Sequence, residues 1–174
     1  MRLWTWQKKG FDITDPEMVV DSRRYSAYYD DPSLPGVKEA YEELWRRLEI
    51  TQIIWCYTQE DEAKDIWKGH VRWELDVDKG DVLAFLSASA WNKIIGVKEF
   101  TPPIGLWLQW KREALKRTPS DPHCRDRIIE ELKRAYWAPE PVQQLWKRLW
   151  LEDVSDDTWA LLKHPIEKSW VVNR

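Results

Sequence analysis

At 174 residues, 43% apolar and 33% charged, the chain has the length and composition of one globular domain able to bury its own core. Its net charge of −3, with Lys and Arg interspersed among Asp and Glu, excludes a generic polyanion-binding field and leaves only a local basic face. No apolar run approaches the roughly 20 residues that span a bilayer. MRLWTWQKKG carries no signal-peptide core, and Cys56 and Cys124 form no motif, so a reduced, cytoplasmic protein without a membrane partner is expected.

Arg2–Gln7 alternates Leu3 and Thr5 with Trp4 and Trp6 and reads as a first strand, stopped by Lys8-Lys9-Gly10. Phe11–Asp31 is irregular, with a short strand or helical turn near Met18–Val20, and Pro32, Pro35 and Gly36 close it. Between Val37 and Ile50, the residues Val37, Ala40, Tyr41, Leu44, Trp45 and Leu48 form one apolar stripe at helical spacing. Thr51–Tyr57 is β-branched and aromatic and reads as a buried strand. Gln59–Gly69 is a charged connection, helical in part.

In Val71–Val77, Val71, Trp73, Leu75 and Val77 alternate with Arg72, Glu74 and Asp76, the pattern of a half-buried strand. Asp78-Lys79-Gly80-Asp81 is turn chemistry, with Gly80 free to take positive φ. Val82–Leu86 then completes a hairpin, and Ser87 or Ser89 caps a short helix through Trp91, Ile94 and Ile95. Beyond the break at Thr101-Pro102-Pro103, a helix opening at Pro103 puts Ile104, Trp107, Leu108, Lys111, Ala114 and Leu115 on one face.

Asp121 as N-cap and Pro122 at the first helical position start another helix, running to about Trp137 with Ile128, Ile129, Leu132, Ala135 and Tyr136 inward. A third carries Val142, Leu145, Trp146, Leu149 and Trp150. Asp153–Asp157 is an acidic turn, Thr158–Leu162 reads as a short helix, and Ile166–Val172 as a returning strand. The expected fold class is α+β, one domain over 1–174. A small mixed sheet of about five strands is packed by one helix of the N-terminal half and about three of the C-terminal half. The sheet-rich part covers about 1–100 and the helix-rich part about 103–163.

Chemical motifs are sparse. The isolated glycines make no phosphate loop. Asp76-x-Asp78-x-Gly80-Asp81 has its glycine one place early for a calcium loop, and Ser87 stands where the glutamate belongs. His70, His123, His164 and Cys124 lack zinc spacing, so neither metal nor cofactor is expected. Cys56, between Trp55 and Tyr57, reads as packed rather than nucleophilic.

The 14 tryptophans exceed what one small core uses, which points to an aromatic-lined cleft formed by Trp4, Trp6, Trp55, Tyr57, Trp73 and Trp91. Lys111, Arg112, Lys116, Arg117, Arg125 and Arg127 form a basic cluster beside Trp107, Trp110 and Trp137. Such a set suits single-stranded nucleic acid or a nucleotide. Asp126, Glu130 and Glu131 balance it, and a solvated helical surface explains the same residues.

Leu3-Trp4-Thr5-Trp6-Gln7, Ala40-Tyr41, Ile54-Trp55-Cys56-Tyr57, Trp73–Val77 with Val82-Leu83 and Trp91, Trp146–Trp150 and Ile166–Trp170 together resemble an uncharacterised bacterial and phage family, the domain of unknown function family numbered 3841. Leu86-Ser87 replaces the Ser-Asp of that family, and Glu167 replaces a Gln. The resemblance implies no activity; a phage- or defence-related role is compatible with it. At the level of layout the chain also resembles small ADP-ribosyltransferase-like domains, which hold NAD between two short sheets. That resemblance implies a pocket in which Gln7, Tyr57, Ser87 and Asn92 converge.

Three readings follow. The first is a non-catalytic binding or regulatory protein for a nucleotide-like ligand or a partner protein. The alternative is an NAD-consuming transferase or glycohydrolase. The third is nucleic-acid binding by the helices at 111–134.

Overall fold

In the computed structural model, which describes residues 1–20, 29, 35–63, 68–95, 104–118, 121–136, 138 and 140–174, seven strands pair into one antiparallel sheet. The strands are β1 (Arg2–Lys8), β2 (Ile53–Tyr57), β3 (His70–Asp76), β4 (Ala84–Ser87), β5 (Trp150–Leu151), β6 (Thr158–Lys163) and β7 (Val171–Asn173), in the spatial order β5-β4-β6-β2-β1-β3-β7. The helices are α1 (Pro35–Leu48), α2 (Ala88–Ile94), α3 (Ile104–Arg117), α4 (Pro122–Tyr136) and α5 (Val142–Leu149). The architecture is α+β as expected. The sheet has seven strands rather than about five, and every pairing is antiparallel rather than mixed. None of the helices described is long and apolar enough to cross a membrane.

Two expectations about connectivity are corrected. β3 and β4 do not form a hairpin: β3 lies between β1 and β7, while β4 lies between β5 and β6. The intervening Lys79–Asp81 is a 3₁₀ turn that carries the chain across the sheet. Among the described residues the glycines with positive φ are Gly10 and Gly69, not Gly80. Thr158–Leu162 is not a helix but most of β6, which pairs with β2 on one side and β4 on the other. Its TWALLK run is apolar on both faces, because Trp159 and Leu161 pack toward one layer and Ala160 and Leu162 toward the other. A strand buried on both sides loses the alternation that would identify it.

The sheet separates two cores. On one face α1, α2 and α5 cover β2, β6 and β4 with Val37, Tyr41, Leu44, Trp91, Trp146 and Leu149 over Ile53, Leu86 and Leu161. Trp91 sits at the centre, with ring centroids 5.1 Å from Tyr41 and 5.3 Å from Trp55. On the other face Leu3, Ile54, Cys56, Trp73, Leu75, Phe85, Ala160 and Leu162 pack beneath coil residues Ile13, Val20 and Ile166.

Local sequence accounts for the helix ends. The Ser87 hydroxyl accepts the Ala90 N–H at 3.1 Å, and the Asp121 carboxylate accepts the Cys124 N–H at 3.1 Å; both are the expected caps. Leu115, Ala135 and Val142 are exposed rather than inward, whereas Trp110 and Ala114 carry the buried side of α3. Trp150 belongs to β5 rather than to the last helix. Pro32, Pro103, Pro119 and Trp137 lie outside the described residues.

Candidate functional site

Cross-strand partners in a sheet point to the same face, so the register locates each candidate side chain. Tyr57 lies opposite both Trp4 of β1 and Trp159 of β6. These three form an aromatic row on the helix-bearing face, flanked by Trp6 and Trp55. Trp55 and Tyr57 contact Trp159 edge-on at 5.9 and 6.4 Å. The indole N–H groups of Trp4, Trp6 and Trp159 are buried without a hydrogen-bond partner among the described residues, a deficit of about 1–3 kcal/mol each.

The six expected cleft aromatics therefore do not meet in one place. Trp4, Trp6, Trp55 and Tyr57 share a face. Trp73 is on the opposite face, paired with Thr5 and covered by the Arg174 guanidinium at 4.9 Å from its ring. Trp91 is interior core. Trp159 was missed because its segment reads as a helix.

The four candidates for an NAD pocket are separated in the same way. Gln7 follows Leu3 and Thr5 in alternation and is buried on the face away from Tyr57, where its amide donates to the Thr5 hydroxyl at 2.8 Å. The Thr5 hydroxyl in turn donates to the Trp55 carbonyl at 2.7 Å. Ser87 is the N-cap of α2 and Asn92 is buried five residues further along the same helix, on a different face.

The N-terminal end of α2 carries a hydrogen-bonded polar cluster. The Asp157 carboxylate accepts the Ser89 N–H at 2.8 Å and the Ser87 and Ser89 hydroxyls at 2.7 and 2.5 Å, while its carbonyl accepts the Ala88 N–H at 2.9 Å. The Tyr136 hydroxyl donates to the Ser89 carbonyl at 3.1 Å. Burial, with the Asp157 charge adding to it and an Asn92 hydrogen bond opposing it, pushes the Tyr136 phenol well above its ordinary value. Lys93 lies 5.1 Å over the Tyr136 ring and pairs with Glu140, which also holds Arg148 at 2.6 Å. Asn92 is buried, and its Oδ1 has no partner among the described residues.

Asp157 also forms one wall of a cleft of about 470 Å³, together with Ser155 and Asp156. The opposite wall is α3, through Gln109, Arg112, Glu113 and Lys116. Residues at i, i+3, i+4 and i+7 share one helical face, which explains why these four line up. The loop wall is tied by local hydrogen bonds: the Thr158 hydroxyl accepts the Ser155 N–H at 2.8 Å, and the Ser155 hydroxyl accepts the Asp157 N–H at 3.3 Å. Glu113 is held by Arg117 at 2.8 Å, but Arg112 and Lys116 have no ion-pair partner among the described residues. The volume falls within the range of small-molecule sites.

The structure thus divides the expected basic cluster. Arg112 and Lys116 line the cleft, Lys111 lies over Trp107 at 5.2 Å, Arg117 is engaged by Glu113, and Arg125 and Arg127 belong to α4. The sequence marks this loop only as an acidic turn; nothing in it signals that the turn faces α3.

A second hollow, of about 600 Å³, lies at the C-terminal end of α1 beside Trp45, Gln52 and His164. There Arg46 binds Glu43 at 2.7 Å and Gln52 accepts the Val20 N–H at 2.7 Å, while His164 Nε2 is buried with no hydrogen-bond partner among the described residues. Burial pushes the Cys56 thiol far above its ordinary value, so it is no nucleophile at neutral pH. Among the described residues no group of three or more His, Cys, Asp or Glu side chains is arranged to hold a metal ion. No family model, curated protein or solved structure matches the chain.

Proposed function

We propose that this protein is a non-catalytic binding module for a small anionic, nucleotide-like ligand, held in the cleft between α3 and the 155–157 loop. The observation that carries the reading is the pair Arg112 and Lys116. They stand one helical turn apart with no ion pair among the described residues, over a cleft whose far wall is anchored to α2 through Asp157. Two cations one turn apart suit a phosphate group, which accepts charge-assisted hydrogen bonds from both. The separation of Gln7 from Tyr57 by the sheet gives the NAD-consuming alternative no single pocket to act in.

The test is calorimetric titration at low ionic strength with pyrophosphate and a panel of nucleotides. The wild-type chain binds at least one of them, and Arg112→Gln with Lys116→Gln weakens that binding by at least about tenfold. Absence of binding by every anion, or equal binding by the double variant, overturns the reading.

A further inference from the structure

Resting on that reading, we infer that the cleft selects a dipolar ligand: a phosphate against Arg112 and Lys116 joined to a pair of adjacent N–H donors directed at Asp156, as a guanine nucleotide presents.

The two walls differ in charge. α3 contributes Arg112 and Lys116 with the Glu113 carboxylate, itself held by Arg117, between them, and the loop contributes two carboxylates, Asp156 and Asp157. These carboxylates are not equivalent. Asp157 spends its oxygens on one amide and two hydroxyl donors at the start of α2 and is left to act through its field. Asp156 is exposed and has no hydrogen bond or ion pair among the described residues. A bare phosphate gains from Arg112 and Lys116 but is repelled by the facing carboxylates at close range. A ligand with N–H donors at its other end converts that repulsion into attraction.

A carboxylate accepts two parallel N–H bonds when the donors sit on adjacent atoms. Guanine has such an edge in its ring N–H and exocyclic amino group. Hypoxanthine keeps the ring N–H but lacks the amino group, and adenine has no ring N–H on that edge. Discrimination by this wall therefore runs from guanine to hypoxanthine to adenine. Gln109, on the same wall as the cations, can accept or donate and does not oppose this order.

The experiment compares GDP, IDP, ADP and pyrophosphate by calorimetry on the full chain, with wild type and Asp156→Asn. Asp156 is exposed, so the variant keeps the fold, which an unchanged melting temperature without ligand verifies. The expected result is GDP binding at least about fivefold tighter than IDP and ADP, with the preference lost in Asp156→Asn. Equal affinity for all three nucleotides and pyrophosphate overturns this inference and leaves the anion-binding function standing. A guanine preference that survives in Asp156→Asn overturns the assignment to Asp156. No binding by any of the four overturns both.

Discussion

Leu161 and Leu162 are neighbours on β6, both fully buried, yet they enter different kinds of core. Leu161 meets helices α1, α2 and α5, whose backbones satisfy their own hydrogen bonds and bring only side chains to the contact. Leu162 meets coil, and coil backbone must be satisfied one group at a time. The fasteners are visible: the Gln52 amide oxygen accepts the Val20 N–H at 2.7 Å, the Ile13 carbonyl accepts the Ile166 N–H at 3.0 Å, and the Met1 carbonyl accepts the Val77 N–H at 2.9 Å. The helical face is held by ring contacts and apolar area, the other face by aliphatic packing that depends on a few polar links. The charged cleft lies apart from both cores, with α3 supplying a row of side chains at fixed spacing.

The largest expected effect breaks the helical face. Trp91→Ala removes the ring at the junction of Tyr41, Trp55 and Trp146 and costs about 3–5 kcal/mol, read as a shift of the urea midpoint. Gln52→Leu tests the coil-covered face. It leaves the Val20 N–H without its acceptor, costs about 1–3 kcal/mol, and raises amide exchange locally around Val20 rather than globally. If the exchange change instead spreads over α1 and α5, the two faces are one cooperative unit at this link.

The smallest effect separates the faces by pH. Burial against Phe11 holds the His164 imidazole below its ordinary value of 6.5, with Asp15 and a hydrogen bond to the Asp12 backbone opposing the shift. The unfolded chain then binds the extra proton first, so this contribution is intact above 6.5 and falls as pH drops below it. On the helical side, Arg148 and Lys93 hold the Glu140 carboxyl below its ordinary 4.5. Its contribution is present above that value and is lost as pH falls toward the folded-state pKa. Chemical-denaturation stability measured against pH should lose its upper slope in His164→Phe and part of its lower slope in Glu140→Gln. An unchanged upper slope in His164→Phe removes the first assignment.

Much of the helical layer is legible in the chain. The stripe from Val37 to Leu48 and the caps at Ser87 and Asp121 are local patterns, readable because a helix closes its hydrogen bonds within four residues. The candidate site was only half legible. Arg112 and Lys116 stand out by charge and spacing, but the wall they face comes from 40 residues further on, and an acidic turn looks the same wherever it docks. The aromatic row was misjudged for a related reason. Composition reveals an excess of tryptophan, but only pairing decides that Trp4, Tyr57 and Trp159 are in line and that Trp73 is behind them.

The sequence by itself determined the α+β class, the amphipathic helices with their ends, and the alternation in β1 and β3. The tertiary structure alone decided that TWALLK is an inner strand, that β3 and β4 are divided between the two halves of the sheet, and which carboxylates look across at Arg112 and Lys116. The reason lies in where the bonds close. Helical hydrogen bonds and caps are satisfied by near neighbours, so the sequence encodes them directly. A strand's partners and a cleft's opposite wall are distant in the chain, and they are selected only when the whole sheet finds its order.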